Sequence, residues 1–313
     1  MTSWKVLITD GLSDKGIAIL SSAAQVDNKP DISADDLLKV AADYDAMVVR
    51  GRTKVTPAVF DAAIRLKVVG RAGVGVDNID LTAARSHGVT VVNAPKSTSL
   101  AVAELAVAMM FALARMLPKA DATMKQGQWI KKQLEGIELN GKTLGIVGMG
   151  NIGTALAQRA SALGMKVISF DTLIAPDEIK KRGAEPVGLS ELYGKADFIS
   201  FHLPLTPESK GMVNGQVFAQ MKHGVRIVDA ARGGIIDETA LLAALESGQV
   251  AAAALDVFAT EPPGLTPLVA HPNVVATPHI GAQTEEAQDR AAEDIASEVL
   301  TALRGEPLRW KIV

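Results

Sequence analysis

The sequence predicts an α/β fold of two open parallel-sheet domains, and three observations carry that prediction. Short β-branched runs alternate with Ala- and Leu-rich helical stretches from the first residues to about Ala276, the rhythm of βα units around a parallel sheet. A chain of 313 residues exceeds one ordinary compact domain and suits two of about 100 to 200 residues, which would leave a cleft. With 48% hydrophobic and 21% charged residues there is apolar material for two cores, unlike a disordered chain.

Taken in order, the first series has apolar runs at Val6-Leu7-Ile8, Met47-Val48-Val49, Val68-Val69 and residues 89–92, separated by helical segments such as 35–42 and 57–64. It reads as a small open-sheet domain. A helix over residues 100–117 follows, with Ser99 as its N-cap, leading from one domain to the other. That run approaches membrane-spanning length, but Glu104 and Arg115 interrupt it, so a buried helix is expected. A second series begins at Lys142, with strands over 143–147, 166–170, 198–201, 225–228, 253–257 and 274–276, enough for a doubly wound domain. The last helix, 284–304, comes after the series has closed, and its linear position leaves open which domain it packs on.

A formal charge of -3, from 32 basic and 35 acidic residues, provides no broad positive field, so nucleic acid is not expected as a partner. The sequence contains no cysteine, which excludes disulfides, thiolate nucleophiles and cysteine-ligated metals and fits a reducing compartment. The opening Met1-Thr2-Ser3-Trp4-Lys5 lacks the apolar core of a signal peptide, so a cytoplasmic location and no membrane partner are expected.

The strand at 143–147 runs into Gly148-Met149-Gly150-Asn151-Ile152-Gly153, and a helical stretch follows directly. In a Rossmann-type turn the first glycine permits the bend, the second lets backbone approach a pyrophosphate, and the third lets helix pack on strand. Asp171 ends the next strand 18 residues after Gly153, near the spacing of the carboxylate that holds an adenosine ribose. An acid there repels a 2'-phosphate, and Thr172-Leu173 supply no arginine, so NAD is expected rather than NADP. The plainer alternative for Asp171 is a helix cap.

Three later strands lead to Arg232, Glu261 and His279. All C-terminal strand ends of a parallel sheet share one edge, so these residues can converge. Oxidising a hydroxy acid needs a base for the hydroxyl proton, a role for His279; Glu261 would orient the imidazole, and Arg232 would hold a carboxylate and the C2 oxygen. No metal is then required. For Arg232 and Glu261 the alternative is a surface ion pair. His87, His223 and His271 sit at apparent helix ends or in a loop and read as structural; His202 follows a strand where it can line the cofactor pocket, but Leu203-Pro204 beside it reads better as an apolar wall for adenine.

These motifs, with Val49-Arg50, residues 69–78 around Arg71, Gly73 and Val74, Asn93-Ala94-Pro95, residues 231–238, Asp256-Val257-Phe258 and residues 278–282, resemble the D-2-hydroxyacid dehydrogenase family over nearly the whole chain. The resemblance implies a discontinuous, flavodoxin-like substrate domain, residues 1–98 and 284–313, with an NAD domain over 99–283 inserted. It implies that Asn151 and Ile152 touch the pyrophosphate, Leu203 and Pro204 the adenosine side, and Ala230 and Asp256 the nicotinamide. Val74, Ala231, Arg232, His279, Gly281 and Ala282 complete the cofactor set, while Gly73 and Val74 backbone meets the substrate carboxylate. A homodimer or homotetramer is implied. The loop Lys96-Ser97-Thr98-Ser99 departs from the Asn- and Gly-containing loop of many relatives. The chain stops at Val313 without the serine-binding regulatory domains of longer members, so no inhibition by serine is expected.

Arg50 and Arg71 each follow an apolar run of the first domain, and two guanidinium forks there suit a distal phosphate, with Lys131 and Lys132 as further positive charge. Those forks suit a phosphorylated 2-hydroxy acid, and the resemblance implies that it is 3-phosphoglycerate. Other readings are a glyoxylate or hydroxypyruvate reductase and a corepressor-like NAD-binding protein without turnover. Glu261 argues against the formate dehydrogenases of the superfamily, which have glutamine there.

Overall fold

The computed structural model describes residues 4–313, so the Met1-Thr2-Ser3 start lies outside the described residues. The chain divides into two compact units, one formed by the chain up to Ser99 with Ala282–Val313, the other by Leu100–Gly281.

The first unit holds β1 (Trp4–Ile8), β2 (Ala24–Asn28), β3 (Ala46–Val49), β4 (Val68–Arg71) and β5 (Thr90–Asn93) in a parallel sheet of order β2-β1-β3-β4-β5. Val6 to Ile8 and Met47 to Val49 are fully buried, as strands covered on both faces must be. Sequence periodicity misses β2. It is an edge strand, Ala24-Gln25-Val26-Asp27-Asn28, and its half-exposed position demands no apolar run. The last helix, Glu285–Arg304, packs on this sheet and settles its open placement: Thr284 accepts the Ala287 amide at 3.2 Å, and Ala291, Ile295 and Val299 are buried. Gly70 in β4 makes the close approach possible, because a Cβ there would lie 2.5 Å from Val299 and 2.9 Å from Ile295.

The second unit holds β6 (Thr143–Val147), β7 (Lys166–Phe170), β8 (Glu185–Pro186), β9 (Phe198–Phe201), β10 (Val225–Asp229), β11 (Val250–Leu255) and β12 (Val274–Ala276). Their order is β12-β11-β10-β9-β6-β7-β8, all parallel, so the winding reverses between β6 and β9. Such a switch point is where an open α/β sheet accepts ligands. The seventh strand, β8, has two residues and no readable pattern, and β11 begins three residues before the expected Ala253.

The expected helix over 100–117 is shorter and broken. It spans Ser99–Arg115, and a second helix, Leu117–Lys125, departs at 65°. Met116 at the break takes φ 50°, and Pro118 fits the first turn of the new helix, where its missing N–H costs nothing. Ser99 is the first helical residue instead of the cap, and its buried hydroxyl has no hydrogen-bond partner among the described residues. Ala103, Ala106, Met109, Met110 and Leu113 are buried, while Glu104 pairs outward with Arg159 at 2.8 Å. Among the described residues no single helix is long and apolar enough to cross a membrane.

Candidate active site

The glycine turn after β6 divides its labour as the motif requires. Gly148 has φ +100°, and a Cβ there would press on the His202 carbonyl. Gly150 caps the helix Asn151–Ala162, and a Cβ on it would meet nothing within 4 Å, leaving the first-turn amides of Asn151 and Ile152 approachable. Gly153 lies so close to the Gly148 carbonyl that no side chain fits. An open cradle over a helix N-terminus, with tight packing on both sides, suits a pyrophosphate.

Asp171 follows β7 and is already well supplied with donors. Its Oδ2 accepts the Met149 amide at 2.7 Å, and its Oδ1 accepts the amides of Leu173 at 2.8 Å and Ile174 at 3.1 Å. It therefore ties the glycine turn to the end of β7 as well as capping its own turn. Reasoning from neighbours in sequence finds no arginine here, yet the fold brings one in: Arg182 donates to the Met149 carbonyl at 2.8 Å and to Glu178 at 3.0 Å. Its separation of 33 residues from Met149 hides it from any motif. Leu203 lies beside Gly148, and the Pro204 carbonyl accepts from Ser209 at 2.7 Å. His202 contacts Ser200 at 2.9 Å, and burial pushes its imidazole down to about 4, which makes it a neutral wall.

Along the edge formed by β10, β11 and β12 the three expected catalytic side chains are set by backbone contacts. Ala230 and Ala231 are buried, and the Arg232 guanidinium donates to the Ala231 carbonyl at 2.6 Å. Next to it, Gly233 abuts the Phe258 carbonyl so tightly that a Cβ would overlap it. The Phe258 amide in turn donates to Glu261 Oε1 at 3.1 Å, and Glu261 Oε2 meets His279 Nδ1 at 2.8 Å. A carboxylate only accepts, so Nδ1 carries the hydrogen and Nε2 is left to exchange a proton.

His279 has φ 54°, a left-handed conformation that costs a side chain of this kind roughly 1 to 3 kcal/mol. Asp256 holds it there. The His279 amide donates to the Asp256 carbonyl at 2.9 Å, while the buried Asp256 carboxylate accepts from Thr277 Oγ1 at 2.6 Å, Ile280 at 2.8 Å and Gly281 at 2.7 Å. A second buried acid escaped the sequence reading altogether. Asp229, the last residue of β10, accepts the Ala231 amide at 2.9 Å, and burial lifts its carboxyl to about 7, with nearby Asp256 adding to the rise and the Ala231 and Arg232 amides and the Arg232 guanidinium opposing it.

In the first unit Val49 pairs with Arg71 across β3 and β4, so Arg50 and Arg71 stand at the same C-terminal sheet edge. Arg50 donates to Gln283 at 2.9 Å. Arg71 donates to the Ala72 carbonyl at 3.2 Å and lies over Gly73, whose φ of +144° and missing Cβ admit the guanidinium. Asn93 steadies the loop by donating to the Val74 carbonyl at 2.6 Å. Ser97 is buried and accepts from Arg290 through its carbonyl at 3.0 Å, whereas Lys96, Lys131 and Lys132 are exposed. The Ala282 carbonyl accepts from Gln288 at 2.6 Å. His87 Nδ1 meets the Ala83 carbonyl at a helix end at 2.9 Å, His223 lies in an exposed turn, and His271 accepts the Asn273 amide at 3.2 Å in a loop.

A seven-stranded doubly wound sheet with this glycine turn, strand-end acid and acid-histidine pair defines a dinucleotide-dependent dehydrogenase architecture. The family model for the NAD binding domain of D-isomer specific 2-hydroxyacid dehydrogenases matches residues 107–281, and the chain belongs to that family. It is 48% identical over 305 residues to a rat D-3-phosphoglycerate dehydrogenase, covering 97% of this chain and 57% of that protein. A D-3-phosphoglycerate dehydrogenase of Methanocaldococcus jannaschii is 47% identical over 303 residues, covering 96% of this chain and 58% of the relative. The chain thus spans little more than half the length of these curated relatives. A glyoxylate reductase structure from Paecilomyes thermophila is similar with a TM-score of 0.90 and 31% identity, over 100% of this chain and 99% of that one.

Proposed function

We propose that the chain interconverts D-3-phosphoglycerate and 3-phosphohydroxypyruvate with NAD, the step that opens serine biosynthesis. The observation that carries this reading is the Glu261–His279 pair at 2.8 Å, on the sheet that also bears the glycine turn and Arg232. Likeness to relatives named D-3-phosphoglycerate dehydrogenase supports the choice of substrate.

Bound NAD would supply the hydride acceptor for C2 of the hydroxy acid, and NADH the donor in reverse. Asn151, Ile152 and the glycine turn would hold its pyrophosphate, Asp171 its adenosine ribose, Leu203 and Pro204 its adenosine side, and Val74, Ala230, Ala231, Asp256, Gly281 and Ala282 the remainder. His279 Nε2 removes the hydroxyl proton in oxidation and supplies it in reduction. Glu261 keeps the imidazole turned, while Arg232 binds the carboxylate and the C2 oxygen. Backbone at Gly73 and Val74 completes carboxylate binding, and Arg50 and Arg71 take the phosphate. Residues 1–98 with 284–313, which fall within the first unit, are read as the substrate-binding domain. The helix Leu117–Lys125 and the turn Lys131–Gln133 bury no residue in their own chain, and Leu117 and Met124 on the helix and Trp129 between the two are exposed, which supports a homodimer or homotetramer.

His279→Ala should lower the rate of NADH-linked reduction of 3-phosphohydroxypyruvate by roughly 100-fold or more, the usual worth of a general acid, while NADH binding persists. Near-normal turnover would refute the assignment. A glyoxylate or hydroxypyruvate reductase is the second reading, favoured by the similarity to the glyoxylate reductase structure from Paecilomyes thermophila.

A further inference from the structure

The mechanism gives no task to Asp229, although its carboxyl is only 2% exposed and closes the strand that leads to Arg232. It accepts the Ala231 amide at 2.9 Å and also the Arg232 amide, so it pins the turn from which the guanidinium projects. The groups facing it can be named element by element. From its own turn comes Arg232, and from the end of β11 comes Asp256. From β9 its paired neighbour is Phe201, which carries no charge, and His202 beyond is neutral through burial. His279 connects to it by way of Asp256, whose carbonyl accepts the His279 amide, and Glu261 by way of Gly233 and Phe258.

A second buried carboxyl at the adjoining strand end, Asp256, adds to the rise that burial imposes on Asp229. Asp256 accepts from Thr277, Ile280 and Gly281, one donor more than Asp229 has, so Asp229 is the less well supplied of the two and the one that burial keeps protonated. We propose that Asp229 is a positioning residue for Arg232: as a neutral acid it pins the turn, and its ionisation weakens capture of the substrate carboxylate by offsetting the Arg232 charge. This rests on the role given to Arg232 above. Burial, reinforced by Asp256, lifts the Asp229 carboxyl to about 7, which sets the transition in the neutral range. Below it Asp229 takes nothing from the Arg232 charge; above it a carboxylate within the same turn opposes anion binding.

The test compares the parent with Asp229→Asn, which keeps an acceptor for the Ala231 amide and cannot ionise. Hydroxypyruvate with NADH is the probe, since its carboxylate stays charged throughout. Between about pH 6 and about pH 8.5 the parent KM should rise roughly tenfold, the effect of about one pKa unit of coupling, while the variant KM stays flat. The pH dependence of kcat should be the same in both. A variant KM that climbs as the parent's does overturns the proposal. If Arg232→Ala leaves KM unmoved, the Arg232 reading fails; if it raises KM and Asp229→Asn still climbs, only the Asp229 proposal fails. Infrared difference spectra of the parent over the same range provide a check that does not depend on the variant folding. Loss of a protonated-carboxyl band is expected, and its absence would contradict the proposal.

Discussion

Replacing Asp171 with Ala separates a cofactor ligand from a structural cap. In the structure the carboxylate accepts three backbone amides, at 2.7, 2.8 and 3.1 Å. An ionised carboxylate has about four acceptor sites, so room remains for a ribose hydroxyl. A hydrogen bond to a charged group contributes roughly 1.5 to 3 kcal/mol, and about 1.4 kcal/mol is tenfold in affinity, so losing one ribose contact should weaken NADH binding by roughly 10- to 100-fold. Losing the three amide contacts, all partly exposed to solvent, should cost about 1 to 3 kcal/mol of stability and lower Tm by roughly 3 to 10 °C. NADPH should gain relative to NADH, because a repulsive charge disappears while Arg182 stays close by at the Met149 carbonyl. The assay is titration of NADH and NADPH by nicotinamide fluorescence, well below the variant's Tm. An NADH Kd within about twofold of the parent's, together with the expected fall in Tm, would show that Asp171 only caps its turn, because a lost ribose contact predicts at least a tenfold change.

Arg50→Ala and Arg71→Ala should each raise KM for D-3-phosphoglycerate by roughly tenfold or more while changing that for D-glycerate by less than about twofold, since each removes a charge-assisted contact to phosphate. Equal effects on both substrates, measured by NADH formation, would remove the phosphate from the account. Gly233→Ala should drive a methyl group into the Phe258 carbonyl, which belongs to backbone and cannot step aside. Overpacking of this kind costs about 1 to 3 kcal/mol, and by displacing the Arg232 turn from the Glu261 loop it should cut kcat while NADH still binds. A fully active variant would show that the close approach does not set the catalytic geometry.

Much of the fold was readable because it is written locally. The run from β6 through Gly148, Gly150 and Gly153 into a helix carries its own turn chemistry, and each glycine meets the constraint that its place in the motif implies. Arg232, Glu261 and His279 were readable for a topological reason: each follows a parallel strand, and parallel strands end on one edge. What escaped depends on edges and on long-range register. Neither β2 nor β8 has a continuous apolar run, because an edge strand is half solvated. The helix break at Met116 hangs on a single left-handed residue before Pro118, inside a run whose composition stays helical. The approach of Arg182 to Met149 and of Asp229 to Asp256 follows from how strands and helices align, which no spacing in the sequence reveals.

The most direct test of the proposed activity is the ratio of kcat/KM for D-3-phosphoglycerate over D-glycerate, measured with NAD in the same buffer. Two charge-assisted contacts to phosphate, at roughly 1.5 to 3 kcal/mol each, predict a ratio of at least about 100. A ratio near one, or faster turnover with glyoxylate and NADH than with 3-phosphohydroxypyruvate and NADH, would contradict the phosphorylated substrate and leave a 2-hydroxyacid dehydrogenase of other preference.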